Sequence, residues 1–245
     1  MKKIVIISGA SGSLGEGYLK HFSNELNFTS IGLARTETKN KINNVEYIYC
    51  DLLDEINVKN KINKINFEQY SEIIFIHPVG KFKFEYKNNL NEIDTQIYNS
   101  NVMTFINISN ILSPLAERKK ITFCCFGSVS DKYDVPYWRS YTQSKKELKR
   151  RIQEASENNN NIRGVFINVS TVTTGNENKL RPFANKKYWL KPEKIVKMSL
   201  SEIISGKSQF IELDIFEPCP HFQDTYYLDH EAIYSKWEKE MGRQE

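Results

Sequence analysis

Apolar residues in this chain fall into short, nearly unbroken runs. KIVIIS (3–8), TSIGLA (29–34), VEYIYC (45–50), EIIFIH (72–77), ITFCCFGS (121–128), GVFINVS (164–170) and QFIELDI (209–215) each have the length of a strand. Runs that are apolar at successive positions suit a sheet covered on both faces. Between them, segments at about 14–26, 54–65, 90–113, 138–157 and 192–205 read as helices. This alternation predicts an α/β fold, a parallel sheet of about seven strands with right-handed crossovers and helices on both faces.

No repeat or linker interrupts the pattern, so 1–245 reads as one domain, long enough to bury a full core. ENNNN (157–161) is a polar turn closing a helix. Two segments fit the alternation poorly. Residues 171–191 form a long polar and aromatic loop, and the aromatic-rich tail 216–245 is expected to pack on the domain or on a partner subunit. Long loops in compact domains often serve as lids or binding segments.

Composition narrows the function by exclusion. With 34 basic and 30 acidic residues the net charge is +4, too balanced for a nucleic-acid surface, and the run Lys145–Arg151 reads as the solvated face of one helix. The N-terminal apolar run is broken at once by glycine and serine, unlike a signal peptide. No stretch approaches the ~18 apolar residues needed to span a bilayer. Cys50, Cys124, Cys125 and Cys219 show no framework spacing and read as reduced thiols of a cytoplasmic protein. The four histidines lack partners at ligand spacing, so no metal site is expected.

Chemistry enters at the end of the first strand. In SGASGSLG, residues 8–15, Gly9, Gly12 and Gly15 stand at a strand-to-helix junction, with Ser11 and Leu14 between them. Backbone N–H groups and a helix dipole there can hold a pyrophosphate, and glycine leaves room for the close approach. The bland alternative is an ordinary glycine-rich turn. After the second strand comes GLARTET, with no acid at the strand tip but with Arg35 and Thr36. An acid would bind a ribose 2′-hydroxyl, whereas arginine pairs with a 2′-phosphate, so NADP(H) is favoured over NAD(H). Further on, SYTQSK places Tyr141 four residues before Lys145 on one helix face. A free phenol has a pKa near ~10, and a neighbouring cation favours its ionised form.

Together these residues resemble the short-chain dehydrogenase/reductase family over about residues 3–215. The resemblance implies a Rossmann-like doubly wound sheet. It implies a catalytic tetrad of Asn101, Ser128, Tyr141 and Lys145, with Ser128 thirteen residues before the tyrosine. In that family Tyr141 would exchange a proton with the substrate oxygen. Ser128 would orient that oxygen, Lys145 would hold the ribose and lower the tyrosine's pKa, and Asn101 would hold a relay water. The resemblance further assigns Asp51 to the adenine, Val172 and Thr174 to the nicotinamide carboxamide, and Leu52, His77 and Gly80 to the cofactor lining. Asp51 or Asp54 could equally cap the following helix.

The chain departs from the family at HPVG (77–80), where Asn-Asn-Ala-Gly is usual, and at Val169-Ser170, where Pro-Gly is usual. Tyr133, Tyr137, Trp138, Arg139, Arg181, Lys186, Lys187 and Tyr188 could form a basic, aromatic pocket rim suited to a small polar, anionic or sugar-like substrate, or could cover the domain or a subunit contact. The reaction expected is carbonyl reduction or alcohol oxidation. The alternatives are a nucleotide-sugar epimerase or dehydratase, suggested by the glycine spacing, and a silent NADP-binding regulatory protein. A homo-dimer or homo-tetramer through helices 90–113 and 138–157 is expected from the resemblance alone.

Overall fold

The computed structural model describes residues 2–38, 40–86, 93–217 and 227–243. Cys219, the start of the expected 90–113 helix and residues 218–226 of the tail lie outside them. Among the described residues one sheet of seven strands runs in the order β3-β2-β1-β4-β5-β6-β7. The strands are β1 (Lys3–Ser8), β2 (Phe28–Ala34), β3 (Val45–Tyr49), β4 (Glu72–His77), β5 (Lys120–Ser128), β6 (Ile162–Val169) and β7 (Phe210–Ile215). Every pairing is parallel, in registers such as Ser8 beside Leu33 and Ile7 beside Ile76. The chain winds from β1 outward to β3, then restarts at β4 on the other side of β1. That reversal opens a crevice at the carboxyl ends of β1 and β4.

The unbroken apolar runs follow from this double cover. Ile4 and Ile6 of β1 face one core, with Val58 and Ile62 of α2 (Glu55–Ile62) and Leu148 and Ile152 of α6 (Arg139–Asn158). The intervening Val5 and Ile7 face the other, against Leu19 and Phe22 of α1 (Ser13–Phe22) and Ile195 and Ile203 of α8 (Pro192–Ser205). Successive strand residues point to opposite faces, so each run must be apolar throughout.

The expected 90–113 helix runs without a break from Thr95 in the described residues but is not α-helical throughout. Its described part comprises α3 (Thr95–Tyr98), a π-turn at Asn99–Met103, α4 (Thr104–Leu112) and a 3-10 turn at Ser113–Glu117. Short helices α5 (Ser130–Tyr133) and α7 (Gly175–Leu180) follow β5 and β6. The described tail forms α9 (His230–Met241), capped by Asp229, and it docks on its own chain. Ile233 and Trp237 of α9 pack with Phe84, Val135, Tyr137 and Trp138 in a third, mostly aromatic core. No helix among the described residues is long and apolar enough to cross a membrane.

Candidate active site

The crevice at the sheet's carboxyl edge is a cleft of about 1260 Å³, lined from Gly9, Ser11, Gly12, Leu14 and Gly15 at one end to Ser128, Tyr141 and Lys145 at the other. Gly9 has φ +60, and an added Cβ at Gly15 would stand 2.2 Å from the Gly9 carbonyl oxygen. Gly12 occupies the N-cap of α1 without any side-chain cap. The first N–H groups of that helix therefore remain available at the cleft, which is the cradle a pyrophosphate requires. Gly15→Ala is expected to destabilise the protein by about 1–3 kcal/mol, because backbone must move to admit the methyl. Urea melts of the two proteins check this, and equal midpoints would refute the close-packing argument.

Arg35, Asp51 and Leu52 line the same cleft beyond the glycine loop. Asp51 Oδ1 accepts the Leu53 N–H at 3.0 Å, whereas Asp54 accepts the Asn57 N–H at 3.0 Å and is the N-cap of α2. The helix-capping task thus falls to Asp54, and Asp51 stays exposed at the cleft wall. Thr36 is exposed and is not part of that wall.

At the other end, helix α6 carries Tyr141 and Lys145, and the Lys145 ammonium lies 5.4 Å from the centre of the Tyr141 ring. Lys145 is only 2 % exposed. A Cβ added at Gly80 would come within 3.3 Å of its Nζ and 3.7 Å of Asn101 Oδ1, so Gly80 lets the chain pass under the ammonium. Ser128 ends β5, and its Oγ accepts the Ser130 N–H at 3.3 Å. Val172 and Thr174 also reach the cleft, although the Thr174 hydroxyl oxygen accepts the Glu177 N–H at 3.1 Å and so caps α7.

Two of the expected site residues stand behind the wall. Asn101, at the centre of the π-turn, is fully buried. Its Oδ1 accepts the Lys81 N–H at 2.5 Å, and its amide donates to the Lys81 carbonyl at 3.1 Å and to Ser144 Oγ at 2.8 Å. Both amide protons and the Oδ1 are thereby engaged with Lys81 and Ser144. His77 is likewise buried, under the cleft rather than on it. Its Nδ1 lies 2.8 Å from Ser8 Oγ and its Nε2 lies 3.2 Å from Thr104 Oγ1. Thr104 gives its only hydroxyl proton to the Ser100 carbonyl at 2.7 Å. It therefore accepts from His77 Nε2–H, and the Ser8 hydroxyl, 2.8 Å from Nδ1 and 3.4 Å from the Ile76 carbonyl, donates to Nδ1 as the closer acceptor. Burial, with a smaller contribution from the Lys145 charge, lowers the His77 pKa to about 3. The ring is neutral.

Helix α6, which carries Tyr141 and Lys145, is held by a residue the sequence does not flag. Buried Glu85 accepts the Ser140 N–H at 3.0 Å and the Ser140 hydroxyl in a second, short bond, and its own N–H donates to the Tyr137 carbonyl at 2.9 Å. A carboxylate at a helix N-terminus also suits the helix dipole. The pocket rim differs from expectation. Of its eight expected residues only Trp138 lines the cleft, and the wall there is completed by Phe82, Leu180 and Trp237 among others. Arg181 is 4 % exposed, held by Glu177 and Glu240 and by Thr171 Oγ1, with its guanidinium 4.0 Å from the centre of the Trp237 ring. Trp237 is missed by sequence reasoning, although Ile233 and Trp237, one helical turn apart behind an Asp cap, are a readable signal.

No protein-family profile and no curated protein matches the sequence. Solved structures do match the fold. An aldohexose dehydrogenase of Thermoplasma acidophilum superposes with a TM-score of 0.75 at 16% identity, over 91% of this chain and 97% of that one. A short chain dehydrogenase from Burkholderia cenocepacia in complex with NADP gives 0.73 at 14% identity, over 96% and 97% of the two chains. The fold is that of the short-chain dehydrogenase/reductase structures. A 3-ketoacyl-(acyl-carrier-protein) reductase from Brucella melitensis, complexed with NADH, also has the short-chain dehydrogenase fold of this chain, with a TM-score of 0.71 at 15% identity over 88% and 97%. Among the described residues of this short-chain dehydrogenase fold, no group of three or more His, Cys, Asp or Glu could hold a metal ion.

Proposed function

We propose that the protein is an NADP(H)-dependent oxidoreductase of the short-chain dehydrogenase/reductase family, acting on a carbonyl or hydroxyl group. One observation carries the reading: an uncapped glycine-loop helix end and the Ser128, Tyr141 and Lys145 side chains open onto one continuous cleft. When bound, the nicotinamide nucleotide supplies or accepts the hydride. The rest falls to the chain. Ser128 hydroxyl holds the substrate oxygen, and Tyr141 delivers a proton to it in reduction or removes one in oxidation. Lys145 holds the ribose and favours the ionised phenol by its charge. Asn101, tied to the Lys81 backbone, keeps the floor of the site in place.

The preference for NADP(H) rests on Arg35, which lines the cleft at the end of β2 where no carboxylate stands. Neighbouring folds hold NADP in one case and NADH in another, so they do not decide it. Fluorescence titration should give tighter binding of NADPH than of NADH. Arg35→Ala should remove about 10–100-fold of that preference, the worth of a charge-assisted hydrogen bond. Preference for NADH would overturn the role of Arg35, and binding of neither would overturn the whole reading. Net consumption of NADPH with a ketone separates a reductase from an epimerase, which recycles its cofactor, and from a silent binding protein. The same proposal includes a cytoplasmic setting, in keeping with the buried free thiols Cys50, Cys124 and Cys125. It also includes self-assembly through the outer faces of α4 and α6.

A further inference from the structure

Past β6 the chain runs beside the hydroxyl that would hold the reacting oxygen. Ser128 pairs with Val169 in the β5–β6 register, and the Val129 N–H donates to the Val169 carbonyl at 3.2 Å. Ser170, Thr171, Val172 and Thr174 come next, and all line the cleft. A dinucleotide with its pyrophosphate on the glycine loop brings its nicotinamide to this segment, since the ring must face Ser128 and Tyr141. The segment has left the sheet and is fastened by other means. The Leu190 N–H donates to the Thr171 carbonyl and the Thr173 N–H to the Leu190 carbonyl, each at 2.8 Å. Several side chains converge on Arg181, which is 4 % exposed and stands behind the lining. Its Nη2 donates to Thr171 Oγ1 at 3.0 Å, its Nε to Glu177 Oε1 at 2.7 Å and its Nη1 to Glu240 Oε2 at 3.0 Å. Its guanidinium carbon lies 5.0 Å from the centre of the Trp189 ring and 4.0 Å from that of Trp237. Glu240 belongs to α9, 59 residues further on, and its carbonyl accepts the Phe183 N–H at 3.0 Å.

One planar cation thus ties the cleft segment to α7 and to the C-terminal helix. Charge-assisted bonds from a rigid fork fix direction as well as distance. We propose that Arg181 is a positioning residue for the nicotinamide end of the cofactor, and that Glu240 makes α9 part of the same clamp. The proposal rests on the oxidoreductase reading above. A segment already held in its binding arrangement needs no ordering when the ring arrives. With the clamp opened, only a fraction of molecules presents that arrangement, and the apparent Kd rises by the inverse of the fraction. The glycine loop and Arg35 lie toward the other end of the cleft and keep their own contacts, so the loss is confined to what the ring contributes.

The test compares NADPH with 2′-phospho-ADP-ribose, the same nucleotide without its nicotinamide ring, on the full chain. If NADH is the tighter cofactor, NADH and ADP-ribose form the pair instead. Titration calorimetry gives both affinities, and the emission of the bound reduced nicotinamide reports the burial of the ring itself. The wild type should bind NADPH more tightly than the truncated nucleotide and enhance its emission. Arg181→Met should weaken NADPH about tenfold or more and 2′-phospho-ADP-ribose by less than about twofold. At saturating NADPH it should also lose most of the emission enhancement. Arg181→Met leaves two carboxylates without their cation and can unfold the chain, so Glu240→Gln accompanies it. Glutamine keeps an acceptor for Arg181 and leaves Glu177 paired. NADPH should then weaken about three- to tenfold, with the truncated nucleotide again spared. Wild-type NADPH affinity and emission in folded Glu240→Gln overturn the proposal. An equal loss of both nucleotides also overturns it, because a merely structural Arg181 gives that result. So does a wild type that binds NADPH no more tightly than 2′-phospho-ADP-ribose and leaves its emission unchanged. The oxidoreductase reading survives all three. A wild type that binds neither nucleotide overturns that reading, and the proposal with it.

Discussion

On the proposed role of Tyr141 as general acid and base, Tyr141→Phe should lower kcat by about 10²–10⁴-fold, the usual contribution of such a group, and should leave NADPH binding intact. The substitution removes one oxygen and no packing. The ring of Tyr141 keeps its edge-on contact with Phe82, and Lys145 keeps its place 5.4 Å from the ring centre. Helix α6 is anchored through Glu85 and Ser140, one residue upstream, and that anchor does not involve the phenol. Stability and cofactor affinity should therefore match the wild type while turnover is nearly lost. Single-turnover kinetics with bound NADPH check this directly. A Phe variant that keeps most of its activity would show that another group handles the proton.

The second large effect is an acid sensitivity set by His77. Its folded pKa of about 3 lies below the unfolded value of 6.5, so the unfolded chain binds a proton that the native ring refuses. Stability from this source is complete above pH 6.5 and falls as the pH drops toward about 3. The slope is about 1.4 kcal/mol per pH unit, or about 2 kcal/mol lost by pH 5. The surroundings offer no relief. Lys145 adds repulsion, and Cys125, beside His77 in the β4–β5 register, is a buried thiol whose own pKa is raised well above its usual value. His77→Asn, which cannot take the proton, should be less stable at pH 7 by about 1–3 kcal/mol, because Ser8 and Thr104 lose partners. Its stability should then fall about 2 kcal/mol less between pH 7 and pH 5 than the wild type's. Urea melts at the two pH values decide it. Parallel losses in both proteins would place the acid sensitivity elsewhere.

What the sequence shows well is whatever depends on neighbours in the chain. The seven strands lie within two residues of the apolar runs, because double cover imposes an uninterrupted pattern on each strand. Gly9, Gly12, Gly15 and the Tyr141–Lys145 pair follow from local turn and helix geometry in the same way. Contacts across the chain leave little trace. The π-turn around Asn101 has no proline or glycine to announce it; it coincides with the Asn101–Lys81 bonds and with Thr104, whose hydroxyl bonds the Ser100 carbonyl and whose oxygen meets His77. Arg181 looks like a rim cation until Glu240, far along the chain, is seen against it. Its sequence neighbours Lys186 and Lys187 share its charge and not its burial.

The segment from Gly80 to Glu85 works as a measuring rod. Gly80 passes beneath Lys145, Lys81 is gripped by Asn101, Phe82 meets Tyr141 and Glu85 anchors Ser140. Four members of the site are thus indexed by positions 80, 81, 82 and 85 of one short stretch. A change of identity at one step disturbs one partner, but an insertion or deletion throws every later step out of phase at once. The spacing of this stretch is therefore as much a part of the site as the side chains of Phe82 and Glu85.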